Sequence, residues 1–291
     1  MKAGSAALAR LRAGRLLAPA ALIGLLATIA ASPASATKIG TPRTPETLEA
    51  YFLGRVVVGD GVDYDLLERE RAGLDWALGA AAGMNPGRLS EDKRKDGRIA
   101  FYINVYNIAT LDLVTRERAQ RGGKLGSIRE IPAAWSRPRW KVAGVERTLD
   151  EIEHDILRKE FREPRIHMAL VCASISCPAL RPEPYVGAQL EQQLDAASRA
   201  FVNDRTRNDF TPRDGRIRIS KIFDWYGGDF VGVYRDSTLE RMYGEKEGAV
   251  LAFASRYLPA KTAASLRAKK VKIDYLPYDW GLNAAPAAKK R

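Results

Sequence analysis

Residues 91–119 read EDKRKDGRIAFYINVYNIATLDLVTRERA and form the longest stretch with helical spacing in the chain. Apolar side chains in its middle leave little polar surface; they are Ala100, Ile103, Val105, Ile108, Leu111 and Val114. A helix that is apolar nearly all round is buried by the elements packed against it. The stretch therefore predicts one central, buried helix.

Two amides lie within this helix. Asn104 and Asn107 are three residues apart, hence on one face, with Tyr102 and Tyr106 beside them. A buried amide without partners costs a few kcal/mol, so both asparagines need hydrogen bonds. We expect the two side chains to act as structural pins, which hold neighbouring loops in place through hydrogen bonds. The alternative is that they contact a ligand directly.

The segments around the central helix mix helical and extended patterns. Thr148 and Glu151 open residues 148–161, TLDEIEHDILRKEF, with the spacing of a capping box, which marks a helix start. Asp214 and Gly215 separate two short extended runs and predict a hairpin. Many helices with a few segregated strands are typical of the α+β class. We predict one helix-rich α+β domain, with the central helix packed on a small, mainly antiparallel sheet.

Residues 165–174, RIHMALVCAS, would be apolar on both faces of an extended chain. Such short runs are typical of strands buried inside a sheet. We therefore expect an interior strand here, followed by a loop that carries the cysteines.

The first 36 residues have the order of a secretory signal peptide. Basic residues without an acidic one precede the apolar run LLAPAALIGLLATIAA, and the small-residue stretch SPASA follows. That run is short for a bilayer span, and no later segment is apolar enough for one. We expect export to the periplasm or medium, with residues 1–36 a signal peptide, 37–47 a linker, 48–283 one globular domain and 284–291 a flexible tail.

The chain has two cysteines, Cys172 and Cys177, and two histidines, His154 and His167. In an oxidising compartment, two cysteines this close form a disulfide by default. A bridge that closes a loop of about six residues contributes roughly 2 kcal/mol, too little to be the main support of the domain. The alternative is a reactive thiol with a histidine as its base.

If residues 165–174 form a strand, His167 and Cys172 within it cannot form such a thiol site by themselves. Side chains alternate along a strand, so His167 and Cys172 would point to opposite faces, roughly 16 Å apart. The fold would have to bring His154 to a cysteine, or the loop would have to double back and bring Cys177 to His167. His167 also fits a hydrogen-bonded core residue.

Composition and motifs narrow the function classes. The net charge of +12 fits a solvated surface or, in an exported protein, an anionic partner in the cell envelope rather than nucleic acid. The usual phosphate-loop, dinucleotide, zinc-protease and serine-hydrolase motifs are absent from the sequence. Two cysteines and two histidines are in principle able to hold zinc, but we expect no metal and no other cofactor.

Several sequence segments, in the same order along the chain, resemble the domain of unknown function 547 family, and the similarity is close over residues 96–205. They are AFYINVYN, TLDEIEHDILR, RIHMALVCASISCPALRPEPY and LEQQLDAASRAFVND. The positions that correspond to the hallmarks of the family are Asn104, Asn107, Glu153, His154, His167, Cys172, Ser174, Cys177 and Pro178. The resemblance implies no activity, because none is assigned to the family. The layout is also loosely similar to papain and transglutaminases, but the central helix here offers Asn104 and no cysteine.

Two functional hypotheses follow. The first is a cysteine-dependent hydrolase or transferase that acts on an amide or ester in the cell envelope. Its site would use Cys172 or Cys177 as nucleophile, His154 or His167 as base, Asn104 or Asn107 as hydrogen-bond donor and Glu153 as orienting carboxylate. The second is a non-catalytic periplasmic binding module with a Cys172–Cys177 disulfide. Its ligand would be a small molecule, a peptide or an anionic envelope component, contacted by the basic surface and by Trp225, Tyr226, Tyr278 and Trp280.

Overall fold

The structure is a computed structural model that describes residues 45–85 and 95–286. The predicted signal peptide, most of the predicted linker and residues 287–291 lie outside the described residues. Within the described ranges, no helix is long and apolar enough to cross a membrane.

Helical segments hold more than half of the described residues. The α-helices are α1 (Pro45–Val56), α2 (Tyr64–Arg69), α3 (Arg71–Gly83), α4 (Lys95–Gln120), α5 (Lys159–Phe161), α6 (Leu190–Asn203), α7 (Ile222–Trp225), α8 (Gly227–Phe230), α9 (Ser237–Tyr243), α10 (Glu245–Ser255) and α11 (Ala260–Ala268). A π-helix spans Glu151–Arg158, and 3₁₀ helices span Ile128–Glu130, Pro164–Met168 and Gly187–Gln189. The strands are β1 (Val57–Val58), β2 (Gly61–Val62), β3 (Trp140–Val142), β4 (Val145–Arg147), β5 (Asp209–Arg213), β6 (Arg216–Ile219) and β7 (Lys272–Tyr275).

Helix α4 is the central buried helix that the sequence predicts. Every residue from Val105 to Thr115 is buried, and α2, α3, α6 and the π-helix pack around it. The β3–β4 hairpin reaches α4 through Trp140, whose Nε1 donates to Asp112 Oδ2 at 2.6 Å. Asp112 is also paired with Arg71, because a buried carboxylate without partners would be costly.

The sheets are small and mainly antiparallel. β1–β2 and β3–β4 are antiparallel pairs, and β5, β6 and β7 form a three-stranded sheet in which β7 runs parallel to β6. Asp214 and Gly215 connect β5 to β6 with φ values of 51° and 70°, the left-handed pair that a two-residue hairpin turn requires. The predicted hairpin and the single globular α+β fold are confirmed.

The predicted interior strand at residues 165–174 is wrong. Pro164–Met168 is a 3₁₀ helix, and the chain then has no regular structure until an isolated bridge between Ser174 and Leu282. The side-chain amide of Asn107 pairs with this backbone, in place of a neighbouring strand. An apolar run indicates that a segment is buried, but it does not fix the backbone conformation.

Two apolar clusters meet along this segment. The first surrounds α4, and the second is built from the aromatic side chains of α7, α8 and α10 with strands β5 and β6. Ile166 and Leu170 belong to the first cluster and Met168 to the second. His167 is therefore held at the junction of the two clusters.

Residues 276–286, which we call the closing segment, lie across the cysteine loop. Ile175 N–H donates to Gly281 O at 2.8 Å, and Asn283 N–H donates to Ala173 O at 3.2 Å. These bonds fix the closing segment against the loop, so that its aromatic side chains reach the junction of the clusters.

Candidate functional site

A cleft of about 380 Å³ opens at this junction, a volume typical of a small-molecule site. Within the described part of the chain its lining residues are Tyr106, Ala133, Trp135, Ser136, Asp150, Glu153, His154, His167, Leu170, Cys172, Cys177, Ile222, Trp225, Tyr226, Tyr278 and Trp280. Aromatic rings and titratable groups dominate this surface, which therefore suits a ligand with both apolar and polar parts.

The π-helix Glu151–Arg158 supplies one part of the lining. Thr148 N–H donates to Glu151 Oε2 at 2.8 Å, and Glu151 N–H donates to Thr148 Oγ1 at 3.1 Å, so the predicted capping box is confirmed. π-Helical turns are rare and occur frequently at functional sites. Here the π-helix directs both Glu153 and His154 toward the cleft.

Glu153 is a buried carboxylate whose charge acts on two tyrosine hydroxyls. Tyr106 comes from α4 and Tyr226 from the junction of α7 and α8, and both line the cleft together with Glu153. Burial, followed by the negative charge of Glu153, raises the pKa of both tyrosines well above the usual value. Both hydroxyls therefore stay protonated at neutral pH and are available as donors beside the carboxylate.

His167 is buried beside the cleft and is held by a carboxylate. Its Nε2 lies 2.7 Å from Asp229 Oδ2, and its ring stacks on Tyr226 with the centroids 4.0 Å apart. Arg158 donates two hydrogen bonds to the same carboxylate, at 2.6 and 2.8 Å. Burial by itself would raise the pKa of Asp229, but the hydrogen bonds from Arg158 and His167 outweigh it and hold that pKa well below its usual value. His167 is thus both a hydrogen-bonded interior residue and part of the cleft.

His154 is the more exposed histidine, with 39% of its side chain accessible. Its Nδ1 lies 3.2 Å from Arg158 Nη1, and its Nε2 lies 3.8 Å from Asp150 Oδ1. Because a guanidinium only donates, Nδ1 accepts, and the proton of a neutral His154 is on Nε2, on the side of Asp150. Burial raises the pKa of Asp150. This pair therefore presents both a donor and an acceptor to the cleft.

Cys172 and Cys177 are joined as a disulfide, and no free cysteine occurs among the described residues. The Tyr278 hydroxyl lies 3.2 Å from each sulfur and accepts a hydrogen bond from Ser174 Oγ at 3.0 Å. Burial raises the pKa of Tyr278 to about 12. A bridged sulfur is not a nucleophile, so thiol chemistry in this cleft would require reduction first.

A cluster of aromatic rings forms another part of the lining. The Trp280 ring centroid lies 4.5 Å from that of Tyr278, 5.8 Å from Trp225 and 5.9 Å from Trp135. Arg129, which is not a lining residue, lies over the Trp280 ring. The four aromatic residues of the binding-module hypothesis all line the cleft; they are Trp225, Tyr226, Tyr278 and Trp280.

Asn104 and Asn107 lie outside the cleft lining and hold backbone instead. Asn104 Nδ2 donates to Tyr185 O, and its Oδ1 accepts from Tyr185 N–H, both at 2.8 Å. Asn107 Nδ2 donates to Ala169 O at 3.0 Å, and its Oδ1 accepts from Val171 N–H at 2.9 Å. Both side chains make the contacts of structural pins, and these contacts direct them to loops rather than to a ligand.

The fold gathers five of the seven predicted site residues at the cleft; they are Glu153, His154, His167, Cys172 and Cys177. The sequence reasoning missed Asp150, Arg158 and Asp229. The first two lie four residues before and after His154, a helical spacing that could have indicated them. Asp229 lies 62 residues from His167 in the chain, and no spacing rule would have found it. Among residues 45–85 and 95–286, no group of three or more His, Cys, Asp or Glu side chains is placed to hold a metal ion.

No curated protein and no solved structure matches the chain. Residues 90–202 match the model of a family described as protein of unknown function, DUF547. The matched range includes α4, the π-helix and the cysteine loop, and thus most of the polar side chains of the cleft. The chain therefore resembles the DUF547 family over the segment that builds this site.

Proposed function

We propose that this chain is an exported binding module without hydrolase or transferase activity, whose cleft takes a small ligand, or the end of a larger one, through a neutral or positively charged polar group. The observation that carries the proposal is the lining itself. It combines aromatic rings with carboxylates, and the described lining residues include no lysine or arginine. In a chain with a net charge of +12, a cleft lined in this way does not favour an anionic ligand.

The charges around the cleft support a cationic group more specifically. Asp150, Glu153 and Asp229 bring three carboxylates to this region, and Arg158 is the cation paired with one of them. With neutral histidines this set is negative. A ligand ammonium group would balance the buried carboxylate of Glu153, and contact with the aromatic rings would add about 0.5–2 kcal/mol of cation–π attraction.

The disulfide supports two parts of the proposal. These are the export of the chain and the absence of hydrolysis or transfer by a free thiol. Disulfides persist in oxidising compartments and are rare in the cytosol, which agrees with the signal peptide expected from the sequence. A thiol hydrolase or transferase would need a free sulfur with a histidine base. In the described residues the sulfurs are bridged, and their hydrogen-bond partners are Ser174, Tyr278 and the Cys172 amide. Binding is therefore the better supported function.

The test compares three probes of similar size and different charge. Tetramethylammonium, tert-butanol and pivalate are titrated at constant ionic strength while tryptophan fluorescence is recorded. We expect a saturable change with tetramethylammonium, a weaker one with tert-butanol and none with pivalate. Pivalate binding as tightly as tetramethylammonium would overturn the proposal.

A pair of matched variants locates the binding. Trp225 lines the cleft and is 44% exposed, whereas Trp76 on α3 is 39% exposed and is not a lining residue. Trp225→Ala should weaken the binding of tetramethylammonium about threefold or more, and Trp76→Ala should leave it unchanged. Equal affinities for the two variants would place the binding elsewhere.

A further inference from the structure

The disulfide lies in the wall of the cleft, and its two ends are unequally covered. Cys172 is partly exposed, whereas Cys177 is only 3% exposed. We therefore expect a thiolate that enters the cleft to attack the sulfur of Cys172, the less covered of the two residues. We propose that the Cys172–Cys177 disulfide is reactive and oxidises thiols that bind in the cleft, so that the module also carries out thiol–disulfide exchange.

The environment of Cys177 suits a leaving sulfur. Its Sγ accepts a hydrogen bond from Cys172 N–H at 2.9 Å and another from the Tyr278 hydroxyl at 3.2 Å. Donors of this kind stabilise a thiolate, and a more stable thiolate leaves faster in exchange. Attack at the partly exposed Cys172 would thus send the electron pair to the sulfur of Cys177, where two donors are in place.

Tyr278 is kept available as a donor. Ser174 Oγ donates to the Tyr278 oxygen at 3.0 Å, which leaves the tyrosine proton free to point at sulfur. The hydroxyl lies 3.2 Å from both sulfurs, so it can serve whichever one carries the negative charge. A chain from Ser174 through Tyr278 to sulfur is therefore already in place in the oxidised protein.

The loop is held in a form that keeps the two sulfurs together after reduction. Ile175 N–H donates to Gly281 O at 2.8 Å, and Asp279 N–H donates to Ser176 Oγ at 2.9 Å. Ala173, next to Cys172, has a φ of 58°, a left-handed conformation that residues with a β-carbon adopt at a cost and that recurs at functional sites. Because these contacts do not involve the sulfurs, we expect the two cysteines to stay adjacent after reduction.

The reaction balances in two steps. A thiolate R–S⁻ attacks Sγ of Cys172, an R–S–Sγ bond forms, the bond between the cysteines breaks, and its electron pair goes to Sγ of Cys177. A second R–S⁻ attacks the substrate sulfur of the mixed disulfide, which releases Cys172 as a thiolate and yields R–S–S–R. Two thiols lose two electrons to the cystine, and their protons pass to solvent and then to the two cysteines.

The substrate class rests on the proposed function, because the charge of the cleft would select thiols in which the group R is neutral or cationic. The experiment reduces the oxidised full chain with cysteamine, 2-mercaptoethanol or mercaptoacetate at equal thiolate concentration. Free cysteines are counted by alkylation and mass spectrometry at successive times. The variants are Tyr278→Phe and, as a control, Tyr275→Phe, whose hydroxyl is buried and has no hydrogen-bond partner among the described residues.

We expect cysteamine to reduce the native chain, Tyr278→Phe to slow this reaction about tenfold, and Tyr275→Phe to leave it unchanged. A disulfide that is reduced only when the protein unfolds would overturn the inference, and so would equal rates for Tyr278→Phe and the wild type. Equal rates for the three thiols, with the Tyr278 effect intact, would overturn the cationic-ligand proposal and leave the reactive disulfide standing.

Discussion

Replacement of Asn107 by alanine should destabilise the fold strongly, although Asn107 does not line the cleft. Its amide donates to Ala169 O and accepts from Val171 N–H, and the side chain is 6% exposed. The substitution leaves a buried carbonyl and a buried N–H without partners, at about 1–3 kcal/mol each. We therefore expect the free energy of unfolding to fall by about 2–6 kcal/mol.

The assay is urea denaturation of the oxidised protein, followed by circular dichroism and tryptophan fluorescence. Asn203→Ala is the matched control, because Asn203 also bonds backbone carbonyls but is exposed, so that water replaces the lost bonds. The control should lose about 0.5 kcal/mol or less. A loss below about 1 kcal/mol for Asn107→Ala, or equal losses for the two variants, would refute the pin role of Asn107.

Two further perturbations test the polar contacts near the cleft. Asp229→Asn should lower stability at neutral pH and flatten the acid side of the stability profile: the pKa of Asp229 is lowered in the fold, so its contribution is present above about pH 4 and is lost as the pH falls further. Urea midpoints between pH 7 and pH 2 measure this effect, and parallel profiles for the variant and the wild type would contradict it. Thr148→Ala removes the acceptor for Glu151 N–H and should cost about 1 kcal/mol, measured as a shift in the urea midpoint; an unchanged midpoint would show that the capping box contributes nothing.

Local rules in the sequence predict much of the fold. The all-round apolar pattern of residues 99–115 corresponds to the buried part of α4, and the Asp214-Gly215 pair corresponds to the hairpin between β5 and β6. Both features depend on neighbours in the chain, through helical periodicity and turn conformation. Local rules do not predict the conformation of residues 165–174, because their backbone pairs with a side chain on α4 rather than with a strand.

The site was predictable in its residue types more than in its geometry. Residue chemistry indicated His154 and His167, the resemblance to the family added Glu153, and the structure brings all three to one cleft. The partner of His167 is Asp229, which follows it by 62 residues and lies next to Phe230 of the second apolar cluster. The sequence did not predict the π-helix either, because a capping box indicates where a helix begins and does not distinguish a π-turn from an α-turn.

The most direct test of the account is a map of the cysteines in the purified, unreduced chain. Proteolysis without reductant, followed by mass spectrometry, should give one peptide that contains both Cys172 and Cys177, lighter by two hydrogen atoms than its reduced form, and no alkylated cysteine. That result would agree with a disulfide-bearing binding cleft. A free Cys172 that alkylates rapidly near neutral pH would contradict it and would return the cleft to the thiol hydrolase hypothesis.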